Sequence, residues 1–407
     1  VPVYDLVIIG GGPAGLSAGI YGARAKLKTV ILEKNVVGGQ AFTTREIVNY
    51  PGFFSGTTGP DLMATMADHA RGFGTEIIKE EVVDVELEGE EKIIKTKRGN
   101  RYYARAVIIA TGSQPRSLNI PGERELRGKG VSYCATCDAE FYEDLPVVVV
   151  GNGDAAIEEA MYITKYASKV TVIVIHDEGI VDCNRASAEK AFKNEKIEFV
   201  WNSVVIEIKG KNELEAVVVK NLKTGKLTEI EASGIFFYVG MVPATKFLKG
   251  KVAMDDQGYI ITNDMMETSV DGVYAAGDAR VKYLRQVITA ASDGAVAAVA
   301  AERYLAAKEE FRENVLTADK PVVLAFWHPA QEESLTAVAI MEKAVNETGG
   351  KVKLVKVDMS RRKMIAQKYG ITKTPAALLV KEGKVCRELS CYLDSESIKA
   401  QLNCHER

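Results

Sequence analysis

Long apolar runs are missing from this chain. No uninterrupted stretch approaches the ~20 apolar residues that cross a bilayer. The apolar segment near the start, YDLVIIG, runs into glycines where a secretory leader would carry its cleavage site. A membrane-spanning protein is excluded on that reading and a cytoplasmic one is expected. Charge of one sign is missing too: 52 basic residues against 55 acidic leave a net charge of -3 with no long block of either sign. That removes the electrostatic basis for capturing nucleic acid or an anionic membrane. Cysteine is sparse, six in 407 residues, too few for a disulfide-stapled secreted scaffold, and Cys183, Cys386, Cys391 and Cys404 are scattered. The other two, Cys134 and Cys137, form a C-x-x-C. With no second cysteine pair and no His-x-His cluster to complete tetrahedral zinc ligation, redox use is the stronger reading of that pair. Metal is not expected.

What is present points to an α/β protein of two or three domains. YDLVIIG is a β-rich run ending in glycines, PAGLSAGIYGARA is small and helix-compatible, and TVILEK is a second β run, which together spell strand, tight turn, helix, parallel strand. The pattern returns in LPVVVVGNGDAAIEEAMYITKYASKVTVIVIHD. Two Rossmann-like three-layer nucleotide-binding domains follow, the second inserted in the first. We expect residues 1–114 and 244–305 to form the first, 115–243 the second, and the charged helical stretch 306–317 a linker. Residues 318–407 alternate strands and helices as a small third α/β domain.

Gly10, Gly12 and Gly15 make a G-x-G-x-x-G that follows a strand and opens a helix, with Glu33 closing the next strand. Glycine lets backbone approach a pyrophosphate, the helix start offers amide donors, and Glu33 can accept from a ribose hydroxyl. Later, Gly277 and Asp278 end another strand ahead of a small-residue helix, which suits the ribityl chain of FAD. In Cys134 and Cys137 the spacing favours a reversible disulfide and, at a helix start, a lowered thiol pKa.

Motifs in order and spacing, GGGPAG, GGQ (Gly38–Gln40), NYPGF (Asn49–Phe53), ATG (Ala110–Gly112), CATCD (Cys134–Asp138), METSVDGVYAAGD and RQVITAASDGA, show that residues 1 to about 305 resemble low-molecular-weight bacterial thioredoxin reductases. The resemblance implies FAD lined by Gly10, Gly12, Pro13, Ala14, Gly15, Glu33, Gly39, Gln40, Asn49, Val83, Ala110, Thr111, Gly112, Gly277, Asp278, Arg285, Gln286, Val287 and Ala290. It implies that Cys137 faces the flavin, that Cys134 attacks a partner's disulfide, and that Asp138 relays the proton. It further implies a homodimer, and thioredoxin or a similar small disulfide protein as partner. A thioredoxin couple near roughly -270 mV demands a donor at or below that potential.

Here the chain departs from the family. GNGDAA keeps Gly151, Gly153, Asp154, Ala155 and Ala156 for a second pyrophosphate. Where the family places His-Arg-Arg against the 2'-phosphate of NADPH, this chain has Val174, Ile175 and His176, then Asp177 and Glu178. At about 1.5–3 kcal/mol per charge-assisted bond, losing two arginines weakens NADPH by roughly two to four powers of ten. The donors left open are NADH, with Asp177 on its ribose, reduced ferredoxin, and weakly bound NADPH. Residues 318–404 resemble thioredoxin, with Thr374–Pro375 at the family's cis-proline, but Gln331 and Ser334 stand where its cysteines belong, so this domain is expected to be redox-inactive. The leading function is a flavin-dependent thioredoxin-disulfide reductase. The alternatives are a dithiol oxidase using dioxygen and a redox sensor or binding protein.

Overall fold

The structure, a computed structural model, describes residues 3–44, 47, 49–53, 55–360, 363–390 and 394–403. The chain divides into two compact units, Val1–Glu302 and Arg303–Arg407. In the first unit the chain runs β1 (Val3–Ile9), α1 (Pro13–Arg24), β2 (Thr29–Glu33), α2 (Gly59–Gly72), β3 (Glu76–Lys79), β4 (Val82–Glu86), β5 (Lys92–Thr96) and β6 (Arg101–Ile109). It continues through β7 (Ser113–Pro115), β8 (Val131–Ser132), α3 (Ala135–Asp138), β9 (Pro146–Val150), α4 (Asp154–Ile163), β10 (Lys169–Ile173), α5 (Arg185–Phe192) and β11 (Ile197–Val200). After β12 (Ser203–Lys209), β13 (Ala216–Asn221), β14 (Leu227–Glu231) and β15 (Gly234–Phe237) come β16 (Met241–Pro243), β17 (Val273–Ala275) and α6 (Val287–Phe311).

The first sheet has the order β3-β2-β1-β6-β5-β4, and β17 joins it beside β6. Its β1, β2, β3, β6 and β17 are parallel neighbours, whereas β4 and β5 are antiparallel. Because β17 lies some 160 residues past β6 in the chain, the second sheet, β11-β10-β9-β15-β8 and parallel throughout, is an insertion in the first. The outgoing and returning chains pair as the antiparallel strands β7 and β16, Ser113 opposite Pro243. A three-stranded antiparallel sheet, β12-β13-β14, accompanies the insertion. The stretch IIKEEVVDVELEG forms two strands, β3 and β4, at opposite ends of the same sheet order.

Small residues decide how closely α1 sits on its sheet. A Cβ on Gly19 would meet Ile31 Cδ1 at 2.9 Å, and one on Gly22 would meet Leu6 Cδ2 at 2.9 Å. Buried Leu6, Ile8, Leu16 and Ile31 fill the space so defined. In the inserted sheet, Val147, Val149, Val170 and Val172 pack with Ala156, Ile157 and Ala160 of α4 and with Ala135 and Ala139 beside the C-x-x-C. Fully removing such a side chain from water contributes roughly 1.5–3 kcal/mol, so the core fixes the redox helix against α4.

The second unit begins within α6 and includes its end and a π-helical turn, Arg312–Leu316. Its elements are β18 (Val322–Trp327), α7 (Glu332–Asn346), β19 (Lys353–Asp358), α8 (Lys363–Lys368), β20 (Ala376–Lys381), β21 (Lys384–Leu389) and α9 (Ser395–Asn403), with sheet order β19-β18-β20-β21. Parallel β18–β19, antiparallel β18–β20 and a cis Thr374–Pro375 bond complete a thioredoxin fold.

Candidate active site

The first glycine turn is shaped by its neighbours. Gly10 has φ +108°, and a Cβ there would lie 2.3 Å from the Ala110 carbonyl oxygen. A Cβ on Gly15 would lie 1.9 Å from the Gly10 carbonyl. Gly12 looks into open space apart from Gly38 and Gly39 at 3.9 Å, so the helix start with Pro13 at its first turn is accessible to a phosphate. Glu33 is fixed by two backbone amides: Gly11 N–H donates to Oε2 (2.7 Å) and Asn35 N–H to Oε1 (2.8 Å), leaving lone pairs for a ribose hydroxyl.

Three more of the expected residues leave polar atoms buried with no hydrogen-bond partner among the described residues: Asp278 Oδ1, Thr111 Oγ1 and Arg285 Nε. Burial pushes the Asp278 carboxyl up, opposed by Lys282 and Arg285. Such atoms cost on the order of 1–3 kcal/mol each unless a ligand satisfies them, and hydroxyl and phosphate groups do so. The residues therefore fit FAD. Around them, a Cβ on Gly277 would meet Ala14 at 2.9 Å and Ala290 at 3.6 Å, and one on Gly294 would meet the Ala14 carbonyl at 2.0 Å, so α1, the Gly277 turn and α6 converge. Asp293 on α6 binds that turn through Gly277 N–H (3.0 Å), Arg280 (2.9 Å) and Lys282 (2.8 Å). Asn49 donates to Gln286 Oε1 at 3.3 Å ahead of Val287, and Gly112 accepts from Ala244 N–H at 2.9 Å where the insertion returns. Val83 stands apart, 45% exposed on β4, three residues beyond Glu80, whose N–H bonds the Glu33 carbonyl.

Cys134 is the N-cap of α3 and is held in a disulfide. The side chain of Cys137 lies outside the described residues, although its backbone continues α3. Cys134 Sγ is 3.5 Å from the Thr43 carbonyl oxygen, at the end of the turn Gly39–Thr43 that holds Gln40. The redox helix thus lies against the GGQ segment of the first sheet. Ser132 orients the acid: its hydroxyl donates to Asp138 Oδ2 (2.6 Å) and accepts from Cys134 N–H (3.1 Å). Ala135 N–H donates to the Tyr238 hydroxyl oxygen at 2.7 Å.

In the second glycine turn the same backbone recurs, Gly151 with φ +134° and its Cβ position 2.4 Å from the Tyr238 carbonyl. Its polar side chains, however, are satisfied from within. Asp154 accepts from Asn184 N–H (2.6 Å) and Nδ2 (2.9 Å). Asp182 accepts from Asn152 Nδ2 (2.9 Å) and contacts His176 Nε2 (3.0 Å), and these two bonds hold its carboxyl below the usual range. Asp177 is ion-paired with Lys223, and Arg185 is 92% exposed beside Glu189. Ala155 is exposed and Ala156 buried on α4. Val174 is buried and Ile175 exposed, so the strand end presents no cation to a 2'-phosphate.

In the thioredoxin-fold unit, Gln331 Oε1 accepts from Ser334 Oγ (3.1 Å) and Thr374 Oγ1 (2.5 Å). His328 Nδ1 accepts from Ala330 N–H (3.2 Å) and serves its own turn. Burial, then Asp154, push the Cys183 thiol up, which lowers its thiolate fraction. Cys386 is free and exposed, while Cys391 and Cys404 lie outside the described residues. Sequence patterning did not single out Ser132, Thr43, Tyr238 or Glu159, because their roles come from pairings across the fold. Among the described residues no helix is long and apolar enough to cross a membrane.

Comparison with known proteins agrees with this geometry. Residues 4–294 match the family described as pyridine nucleotide-disulphide oxidoreductase, and residues 303–404 match the thioredoxin family. The thioredoxin reductase of Peptoclostridium acidaminophilum is 53% identical over 314 residues, 76% of this chain and 99% of that protein. That of Bacillus subtilis (strain 168) is 42% identical over 316 residues, 77% of this chain and 98% of that protein. The crystal structure of Lactococcus lactis thioredoxin reductase, 43% identical, covers 75% of this chain and 99% of its own with a TM-score of 0.68. On these matches the chain belongs to the thioredoxin reductases, within the pyridine nucleotide-disulphide oxidoreductase family, and carries a thioredoxin-family domain after them.

Proposed function

We propose that this protein reduces the disulfide of thioredoxin, or of a similar small protein, through Cys134 and Cys137 with Asp138 as the proton donor. The observation that carries the reading is the Cys134 disulfide at the start of α3, lying against Thr43 with Ser132 holding Asp138. FAD, when bound, supplies a two-electron relay. The residues assigned to it are the expected set, from Gly10 through Ala290; the unpartnered atoms of Asp278, Thr111 and Arg285 support this assignment and the exposure of Val83 does not. Once the disulfide has accepted two electrons, Asp138 is placed to deliver a proton to one sulfur while the other remains a thiolate. Cys134 as thiolate attacks the partner disulfide, forming a mixed disulfide and releasing a partner thiolate. Cys137 then attacks Cys134, which restores the pair and frees the second partner sulfur.

The domain boundaries 1–114 with 244–305, 115–243, 306–317 and 318–407 belong to the same proposal, as does a homodimer. For the donor, the self-satisfied second turn argues against efficient NADPH use and leaves NADH or a reduced one-electron protein such as ferredoxin. The test is anaerobic flavin bleaching of the purified holoprotein by NADPH, NADH and reduced ferredoxin, followed by added thioredoxin disulfide. Reoxidation by thioredoxin in the wild type and its absence in Cys134→Ser supports the assignment. Equal reoxidation in both overturns it. Bleaching by micromolar NADPH overturns the donor reading alone.

A further inference from the structure

The redox helix is backed by two groups that the reaction above does not use. Tyr238, directly after β15, packs in the same cluster as Ala135, Ala139, Ala156, Ile157 and Ala160. Its hydroxyl oxygen accepts the first amide of α3, Ala135 N–H, at 2.7 Å. An accepting hydroxyl retains its own proton, and no described residue takes it. Glu159 lies on α4, which packs against α3, and its Oε2 is buried with no hydrogen-bond partner among the described residues. Burial, and then Glu158, push this carboxyl up to about 6. Tyr238 in turn is pushed up by burial, then by Glu159, and by Asp138 against the pull of its Ala135 bond. Glu159, Tyr238 and Asp138 therefore share one electrostatic field across α4, the end of β15 and α3.

We propose that Glu159, acting through Tyr238, couples uptake of a proton to reduction of the Cys134 disulfide. The inference rests on the assignment of Cys134 as half of the redox pair. Reduction adds two electrons to the S–S bond and one proton, which breaks the bond and gives one thiol and one thiolate. The new negative charge lies at the start of the helix whose first amide Tyr238 holds, and it raises the proton affinity of Glu159. The carboxylate then takes a second proton from solvent, so two protons enter for two electrons. Where Glu159 is anionic it opposes the thiolate and holds the thiol pKa up; where it is neutral it does not. The other charged groups that act on Glu159 and Tyr238 are acidic, Glu158 on α4 and Asp138 on α3, and both act in the same direction. Glu159 and Tyr238 are positioning residues: they act on the pair through the helix whose first amide Tyr238 holds.

The experiment is alkylation of Cys134 in the dithiol-reduced holoprotein by iodoacetamide, followed by mass spectrometry of its peptide from pH 5 to pH 9. Wild type, Glu159→Gln and Glu159→Asp are compared. Between pH 7 and the thiol pKa, E159Q is expected to react roughly tenfold faster than wild type, about one unit of thiol pKa for a charge removed at this range, and the two converge once the thiol is ionised in both. At pH 5 the two are expected to agree within about twofold, and E159D is expected to follow wild type. A packing defect would shift the rate by one factor at all pH values. Superimposable or parallel profiles of E159Q and wild type overturn the proposal. Should E159Q lose its flavin absorbance, the wild-type profile decides: two inflections, one near pH 6, support it and a single inflection overturns it. Because an added dithiol supplies the electrons, the result is independent of which donor or partner the protein uses.

Discussion

The two glycine turns of this chain share a backbone and differ in what their side chains still need. At the first, Asp278 Oδ1, Thr111 Oγ1 and Arg285 Nε are buried without hydrogen-bond partners among the described residues. At the second, Asp154 is paired with Asn184, Asp182 with Asn152 and His176, and Asp177 with Lys223. The strand-turn-helix geometry is the same, so geometry alone does not separate a cofactor cradle from a scaffold. Unmet hydrogen-bonding demand does, because buried polar atoms are nearly always satisfied in a finished structure. The first turn is complete only with a ligand. The second completes itself.

The widest test of that contrast gives the second turn what it lacks. Ile175→Arg with His176→Arg places two guanidinium groups at the strand end and removes the contact to Asp182, and NADPH affinity is expected to rise by roughly two to four powers of ten. Anaerobic flavin bleaching against NADPH concentration reads it; an unchanged affinity would mean that the loop Asp177–Asn184 blocks the turn by shape. A smaller effect is expected at the first turn. Asp278→Ala removes an acceptor that no described residue satisfies, so FAD affinity should fall about 10- to 100-fold, while the apo-protein unfolds no earlier than wild type. Loss of apo-protein stability of the same size as the loss of FAD binding would show that Asp278 is structural.

The smallest effect concerns Glu159, whose Oε2 is buried without a hydrogen-bond partner among the described residues. Its folded-state value, raised from 4.5 to about 6, means that the native state holds the proton more tightly than the unfolded chain. Its contribution to stability is fully present below about pH 4.5 and is lost as pH rises through about 6. Glu159→Gln is therefore expected to stabilise the protein relative to wild type at pH 8 by on the order of 1–2 kcal/mol, with the difference shrinking toward pH 5. Denaturant unfolding at the two pH values checks the sign.

Much of this was legible before the fold was known, for a physical reason. Gly10 and Gly15 are required by clashes of about 2 Å with the Ala110 and Gly10 carbonyls, a local steric demand that no other residue meets, so the motif announces itself. The insertion was readable because a second strand-turn-helix recurs before the first sheet regains β17. The absence of an arginine pair after β10 was equally plain. What the sequence concealed depends on distant partners. Nothing in GIFFYVG marks the tyrosine that takes the Ala135 amide across 103 positions, and nothing in AIEEAM tells exposed Glu158 from half-buried Glu159, whose Oε2 is covered. Val83, assigned through family resemblance alone, stands exposed on β4.

The Gln331–Ser334–Thr374 hydrogen bonds set a limit on how many electrons the chain can store. An amide and two hydroxyls bonded to one another hold no oxidation state between them, so the thioredoxin-fold unit adds nothing at the position where its relatives keep a disulfide. Storage falls to the flavin and the Cys134 pair, two electrons each. A reductant titration should therefore end without the further step that a cysteine pair at 331 and 334 would add.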